Sequence, residues 1–283
     1  MSETSTSYFA APQASGNWLW RAWQALTMPI FYPLFSVGCL WILGLALVAR
    51  MRFADPAARA FWLRARMSRI ARSWLRLGSG LGLLQHDVLR ARPALQPGSI
   101  VIANHPSLVD VVFVLAELPQ LCCVLKSELS TVPVLGSVTR VLNYLSNADP
   151  EHLLREGEKR LQAGESLLIF PEGTRTKGAR TLAFKLGAVE LALRTGAPVQ
   201  PVVIHYHGRY LSGLGRWYQM PRERLHYTVE IPEPVPPPSA TNTRQRRALR
   251  PRFRQALERG FEARLNHRFP GGARFFPTAG SAA

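Results

Sequence analysis

Acidic side chains are scarce in this chain: 18 Asp and Glu stand against 35 Lys and Arg, a formal net charge of +17 over 283 residues. Lysine is scarcer still, at Lys126, Lys159, Lys177 and Lys185 only, so arginine carries most of the positive charge. That imbalance points to a polyanionic partner, either nucleic acid or an anionic bilayer. The three cysteines, Cys39, Cys122 and Cys123, suggest no disulfide framework, and no cysteine–histidine spacing suits zinc, so no metal is expected. They read as small buried apolar residues in a reducing compartment. A Gly-x-Ser-x-Gly elbow is also missing, which leaves no signature of an activated serine nucleophile. Finally, no charged residue occurs between Met28 and Ala49.

That charge-free segment decides between the two polyanions. A bilayer core takes about 20 apolar residues in a helix, and this run is long enough. The aromatic residues cluster in it and not among the arginines, which argues against a base-stacking platform, so no nucleic acid is expected. A cleaved signal peptide is disfavoured by a thin basic n-region and the weak cleavage context Ala46-Leu47-Val48-Ala49-Arg50. The segment either spans the bilayer once, folds into a buried hairpin or lies in the interface. Pro29 and Pro33 are placed near the start of its helix, where proline does least harm. Residues 1–27 read as a mobile N-terminal tail. Arg21 precedes the segment, whereas Arg50, Arg52, Arg59, Arg64, Arg66, Arg69, Arg72 and Arg76 follow it. The positive-inside bias therefore predicts a cell (inner) membrane protein with everything after Ala49 on the cytoplasmic face.

Residues 28–79 form a membrane-embedded segment followed by a basic amphipathic helix. In that helix, over 56–77, Leu63, Met67, Ile70, Trp74 and Leu77 recur at four-three spacing. Gly78-Ser79-Gly80 is read as its stop. Such a helix suits a membrane interface or a seat on the following domain. Residues 80–240 alternate between strand and helix patterns. Strands are predicted over 99–103, 120–125, 141–146, 166–170, 199–206 and 225–231, and helices over 108–117, 134–140, 150–163 and 183–195. The fold class is α/β, with a largely buried central sheet. Residues 241–283 form an arginine-rich C-terminal helix and tail, with Pro251 as a kink or as the true start. That helix is read as meeting anionic lipid headgroups or an acidic carrier protein.

Two segments carry the chemistry. The apolar run 99–103 ends in Asn104-His105-Pro106-Ser107-Leu108-Val109-Asp110, and the run 167–170 ends in Pro171-Glu172-Gly173-Thr174-Arg175. A carboxylate about one turn beyond a histidine can hold one ring nitrogen and leave the other to accept a proton. Arg175 can grip a phosphate or carboxylate with two parallel hydrogen bonds. Glu172 orients that arginine or holds an acceptor hydroxyl, and Gly173 lets backbone approach a ligand closely. Lys126, after the strand at 120–125, is either a third strand-end contributor or an exposed lysine. With no activated serine or cysteine, direct attack by a substrate hydroxyl is the simpler chemistry.

At these residues the sequence resembles the lysophospholipid and glycerolipid acyltransferase family, in particular its 1-acyl-glycerol-3-phosphate acyltransferases. The resemblance rests on four blocks in order. They are Asn104-His105 with Asp110; Lys126-Ser127-Glu128-Leu129 with Pro133 and Gly136; Phe170 to Arg175; and Gly196 to Val202. It implies a glycerolipid-acyltransferase-like domain with a mostly parallel sheet flanked by helices, behind an N-terminal membrane-associated helical segment. It also implies transfer of an acyl chain from acyl-CoA or acyl-carrier protein, as co-substrate, to a lyso-lipid hydroxyl, with no further cofactor. By this carry-over His105 is the base, Asp110 orients it, and Glu172, Gly173, Thr174 and Arg175 bind the acceptor. One departure stands out: the family's Ile-Asp-Arg pattern corresponds here to Tyr144-Leu145-Ser146-Asn147, which puts Asn147 in place of a charged fork. A phospholipid-synthesis acceptor of the 1-acyl-glycerol-3-phosphate type is the first expectation. Another amphiphile as acceptor, or a silent membrane-binding protein of the same fold, are the alternatives.

Overall fold

The computed structural model describes residues 18–90, 95–173, 182–207 and 224–266. The chain opens with two long helices, α1 (Trp18–Arg52) and α2 (Pro56–Gly80). Asp55 caps α2, its carboxylate accepting from the Ala57 and Ala58 amides. There follow β1 (Leu84–Arg90), β2 (Ile100–Ala103), α3 (Asp110–Glu117), β3 (Cys122–Leu125), α4 (Leu135–Val141), β4 (Leu145–Ser146), α5 (Pro150–Gln162), β5 (Leu167–Ile169), α6 (Gly187–Thr195), β6 (Val199–His207), β7 (Leu225–Ile231) and α7 (Thr243–Asn266). The strands form one seven-stranded sheet in the order β1-β7-β6-β2-β5-β3-β4. Every pairing is parallel except β6 with β7. Helices cover both faces, so β2 and β5, at the centre, are buried along their whole length. This is the α/β architecture expected from the sequence.

Several boundaries differ from expectation. Residues 18–27, assigned to the tail, are the first turns of α1, and Pro29 and Pro33 lie well inside it. A tertiary contact holds those turns, Trp23 Nε1 donating to the Leu81 carbonyl at 3.0 Å, and the next is held by Trp74 Nε1, which donates to the Phe31 carbonyl at 2.9 Å. α2 ends at Gly80, within the Gly78-Ser79-Gly80 read as its stop. Gly78 also lets Phe31 and Leu84 close in, since a Cβ there would lie 2.6 Å from Phe31 and 2.7 Å from Leu84. Most of the run 141–146 is not strand: Val141 ends α4 and only Leu145–Ser146 pairs. The strand β1 was not anticipated, because its half-exposed edge sequence Leu-Gln-His-Asp-Val-Leu-Arg has no apolar run.

The helical hairpin answers what the apolar stripe of α2 meets. Leu63, Met67 and Trp74 are buried, Trp74 stacking on Phe31 of α1 with ring centroids 4.2 Å apart. A Cβ at Gly38 of α1 would lie 2.5 Å from Ile70. On its other side α2 docks on the sheet domain. Arg72 donates to the Ala116 carbonyl, and the buried Arg64 donates to the Leu142 and Asn143 carbonyls and pairs with Glu165. So α2 is sandwiched, and the stripe is packing surface. The outward face is that of α1, where Trp18, Leu26, Ile30, Val37, Trp41, Leu47 and Met51 are exposed. At 1.5 Å per residue α1 extends for roughly 50 Å, and it packs against α2 and α4.

The C-terminal helix α7 is also more embedded than its charge suggested. Phe253, Leu257 and Phe261 are buried, and Arg250 and Arg264 pair with Glu190 and Glu230. Pro251 lies inside a continuous helix.

Candidate active site

The strands β2 to β6 run in one direction and end at one edge of the sheet, where ligands of open α/β sheets bind. His105 leaves the end of β2, held by its neighbour: the Asn104 side chain donates to the Ile204 carbonyl (2.9 Å) and accepts from the Ile204 amide (2.7 Å). That two-point clasp onto β6 fixes the exit direction of the chain. The His105 amide donates to Glu172 Oε1 at 3.0 Å, which joins β2 to the loop after β5. The imidazole lies over Phe170, centroids 4.5 Å apart at 30°.

Asp110 is the first residue of α3 and is fully buried. His105 Nδ1 is 2.8 Å from Asp110 Oδ2. The Ser107 amide donates to the same oxygen at 2.7 Å, and the Ser107 hydroxyl donates to Oδ1 at 2.6 Å. An ionised carboxylate can only accept, so Nδ1 carries the hydrogen and Nε2 is left with its lone pair. Burial pushes Asp110 above the ordinary carboxylate range, and the hydrogen bonds from His105 and Ser107 oppose that rise. Ser107 is itself saturated: its oxygen accepts from the Tyr227 hydroxyl at 2.9 Å and from the Val109 amide at 3.2 Å. A buried serine so engaged is a support for Asp110 and not a nucleophile. Tyr227 stacks on Phe113 and Tyr206, with centroids 4.0 and 4.4 Å away, and burial raises its hydroxyl well above its ordinary value.

The structure therefore brings together His105, Asp110, Glu172 and Gly173. Thr174 and Arg175 lie outside the described residues. Lys126 and Asn147 follow β3 and β4 at the same edge, two and three strands from β2. At about 4.8 Å per strand those offsets are roughly 10 and 14 Å. Lys126 is exposed, and the Asn147 amide donates to the Leu125 carbonyl at 2.9 Å, continuing the β3–β4 ladder. Sequence reasoning missed Tyr227, whose only signal was an aromatic at an inward strand position. It also missed Lys185. Gly173 has φ +67°, and a Cβ there would lie 2.6 Å from Lys185 Cε and 2.7 Å from Nζ. What approaches that glycine is a lysine of this chain.

The Acyltransferase family profile matches residues 85–205, which runs from β1 through β6 and takes in this whole edge. With the relatives below, this match supports an acyl-transferring enzyme of that family. The chain is 29% identical over 212 residues to a lyso-ornithine lipid O-acyltransferase of Pseudomonas aeruginosa, covering 69% of this chain and 79% of that one. It is 28% identical over 209 residues to a 1-acyl-sn-glycerol-3-phosphate acyltransferase of the same bacterium, covering 70% and 77%. A 1-acyl-sn-glycerol-3-phosphate acyltransferase of Cocos nucifera is 33% identical over 113 residues, which span 38% of this chain and only 37% of the coconut protein. Among solved structures, the 1-acyl-sn-glycerophosphate (LPA) acyltransferase PlsC of Thermotoga maritima superposes with a TM-score of 0.61 at 24% identity, covering 89% of this chain and 99% of that one. That likeness establishes the fold.

Proposed function

We propose that the acyltransferase moves an acyl chain from an acyl-CoA or acyl-carrier-protein thioester to the hydroxyl of a lyso-lipid at a membrane surface. The observation that carries this reading is the 2.8 Å contact between His105 Nδ1 and a buried, fully engaged Asp110. His105 Nε2 takes the proton of the acceptor hydroxyl as its oxygen attacks the thioester carbonyl. The tetrahedral intermediate collapses, the C–S bond breaks, and the thiolate takes the proton back from the imidazolium. Asp110 holds the ring and stabilises its positive charge during that interval. No covalent enzyme intermediate is needed, which agrees with a Ser107 locked into the Asp110 network. Glu172, Gly173, Thr174 and Arg175 bind the acceptor headgroup, with Lys126 and Asn147 at the outer end of the same edge.

The outward face of α1 supports seating in a leaflet. It exposes Trp18, Trp41 and many aliphatic side chains, the kind of apolar face that marks a membrane-interaction site. Beside it, a groove of about 520 Å³ between α1 and α2 mixes Leu34, Trp41, Ile70, Trp74 and Leu77 with Arg66 and Arg69, a lining suited to acyl chains under anionic headgroups. Because α1 packs against α2 and α4, the interfacial placement is preferred to a single span, and the excess of arginine after it supports the cytoplasmic face of the inner membrane.

A 1-acyl-glycerol-3-phosphate-type acceptor is the first reading. A lyso-ornithine-type acceptor is the second, favoured by Asn147 in place of a cation and by the similarity to the Pseudomonas lyso-ornithine lipid enzyme. The test is thiol release from an acyl thioester by purified protein in anionic vesicles, across a panel of lyso-lipids. Expected is turnover with at least one lyso-lipid and a loss of about 100-fold or more in His105→Ala. Full turnover by His105→Ala would remove the assigned base.

A further inference from the structure

We propose that Lys185 is a headgroup-reading residue: its ammonium binds the anionic group of the acceptor, a phosphate or a carboxylate, beside the loop after β5. This rests on the lyso-lipid reading above and names the charge that Asn147 does not supply. The position is built from three sides. The Lys185 amide donates to the Pro171 carbonyl at 2.7 Å, which ties it to the Phe170–Gly173 turn. Phe184, the preceding residue, is buried against Phe261 of α7, and its amide donates to Glu258 Oε1 at 2.8 Å. The Leu182 amide donates to Glu262 Oε1 at 3.0 Å. The two glutamates that α7 carries among its arginines thus clasp the strand of chain that presents this lysine.

The stem of Lys185 crosses Gly173, where a side chain would displace it and where φ is +67°. Glycine at 173 therefore meets two demands at once, a left-handed turn and a saddle for the lysine stem. The adjacent Glu172 accepts from the His105 amide, so the ammonium belongs to the same edge as the imidazole. Lys185 is exposed, and no carboxylate among the described residues forms an ion pair with it. A cation fixed by its backbone, its stem and its flanking residues, with its charge left to solvent, is suited to an anionic ligand. A lysine acts as a point charge, so it serves a phosphate or a carboxylate alike.

Two measurements on the full chain in neutral detergent micelles test this. First, amine-reactive labelling of the four lysines is read by peptide mass with 1-acyl-glycerol-3-phosphate, lyso-ornithine lipid, monoacylglycerol or acyl-CoA present. Expected is protection of Lys185 by at least one of the two acceptors bearing an anionic group and none by monoacylglycerol. Protection by acyl-CoA alone would assign the charge to the donor and overturn the proposal, as would equal protection by monoacylglycerol. This arm needs no turnover, so it stands whether or not acyl transfer is detected. Second, Lys185→Met keeps the stem and removes the charge. Expected is a KM for the anionic acceptor raised roughly tenfold with kcat nearly kept, the size of one charge-assisted hydrogen bond, and recovery in Lys185→Arg. A fall in kcat with unchanged acceptor KM, not recovered by arginine, would assign the residue to the fold and refute the proposal.

Discussion

Replacing Asp110 by asparagine tests the site at its most constrained atom. The carboxylate accepts three hydrogen bonds, two at Oδ2 from His105 Nδ1 and the Ser107 amide, and one at Oδ1 from the Ser107 hydroxyl. An asparagine must put its NH2 at one of these positions. At Oδ2 it would face two N–H donors. At Oδ1 it faces only the Ser107 hydroxyl, which can accept once the Tyr227 hydroxyl turns and accepts from Ser107 in exchange. The favoured orientation therefore keeps an oxygen toward His105, so the ring holds its tautomer and loses only the negative charge that stabilises the imidazolium. A unit charge at about 4 Å is worth roughly 4 kcal/mol at an effective dielectric of 20, and a neutral acceptor recovers part of that. We expect kcat to fall about 100- to 1,000-fold, inside the range for general-base assistance, with acceptor KM little changed. Asp110→Ala removes the tautomer control as well and should be slower again by about tenfold or more, in line with general-base losses. Single-turnover thiol release on folded variants, checked by circular dichroism, gives the comparison. An asparagine variant within threefold of the parent, or one equal to the alanine variant, would contradict the assignment of separate tautomer and charge roles.

The same carboxylate leaves a mark on stability. Its native value lies above 3.8 because of burial, so in the window from 3.8 upward to that value the folded chain holds a proton that the unfolded chain has lost. Across that window the Asp110 contribution to stability falls as pH rises, and it is constant above it. Urea unfolding of the parent minus Asp110→Asn should show that sign; a difference that grows with pH would reverse it. Asn104→Ala strips the clasp on Ile204 and leaves a buried N–H and C=O unpaired, at about 1–3 kcal/mol each, measurable as a lower urea midpoint. Arg64→Met removes the cation that joins α2 to Glu165 and two carbonyls, and should cost about 3–5 kcal/mol; an unchanged midpoint would show that α2 is held by apolar packing alone. Gly173→Ala forces a side chain into a left-handed turn, at about 1–2 kcal/mol, and displaces the Lys185 stem. Its acceptor KM should therefore rise with that of Lys185→Met.

Much of the site was legible in order but not in role. His105 and Asp110 could be paired from spacing because a turn after a buried strand leaves few geometries. The central strands were legible because parallel strands buried on both faces are continuous apolar runs, as in Leu167–Ile169. The edge strand β1 has no such run, since one side meets water, and nothing local separates it from a loop. Ser107 and Asn104 were legible as motif letters only. That one supports the carboxylate and the other clasps β6 depends on partners at Tyr227 and Ile204, far along the chain.

What the sequence by itself determined is therefore the local chemistry: an imidazole at a strand end with its acid one turn on, a charge-free helix, and an excess of arginine that favours an anionic bilayer. What only the tertiary structure decided is which charges remain free to act. Arg64, Arg250 and Arg264 turned inward to glutamates and carbonyls, whereas Lys185, unremarkable as a letter, was carried across Gly173 to the edge that holds His105. Periodicity and spacing report on neighbours along the chain, but the partner of a charge is set by how separate helices and strands pack.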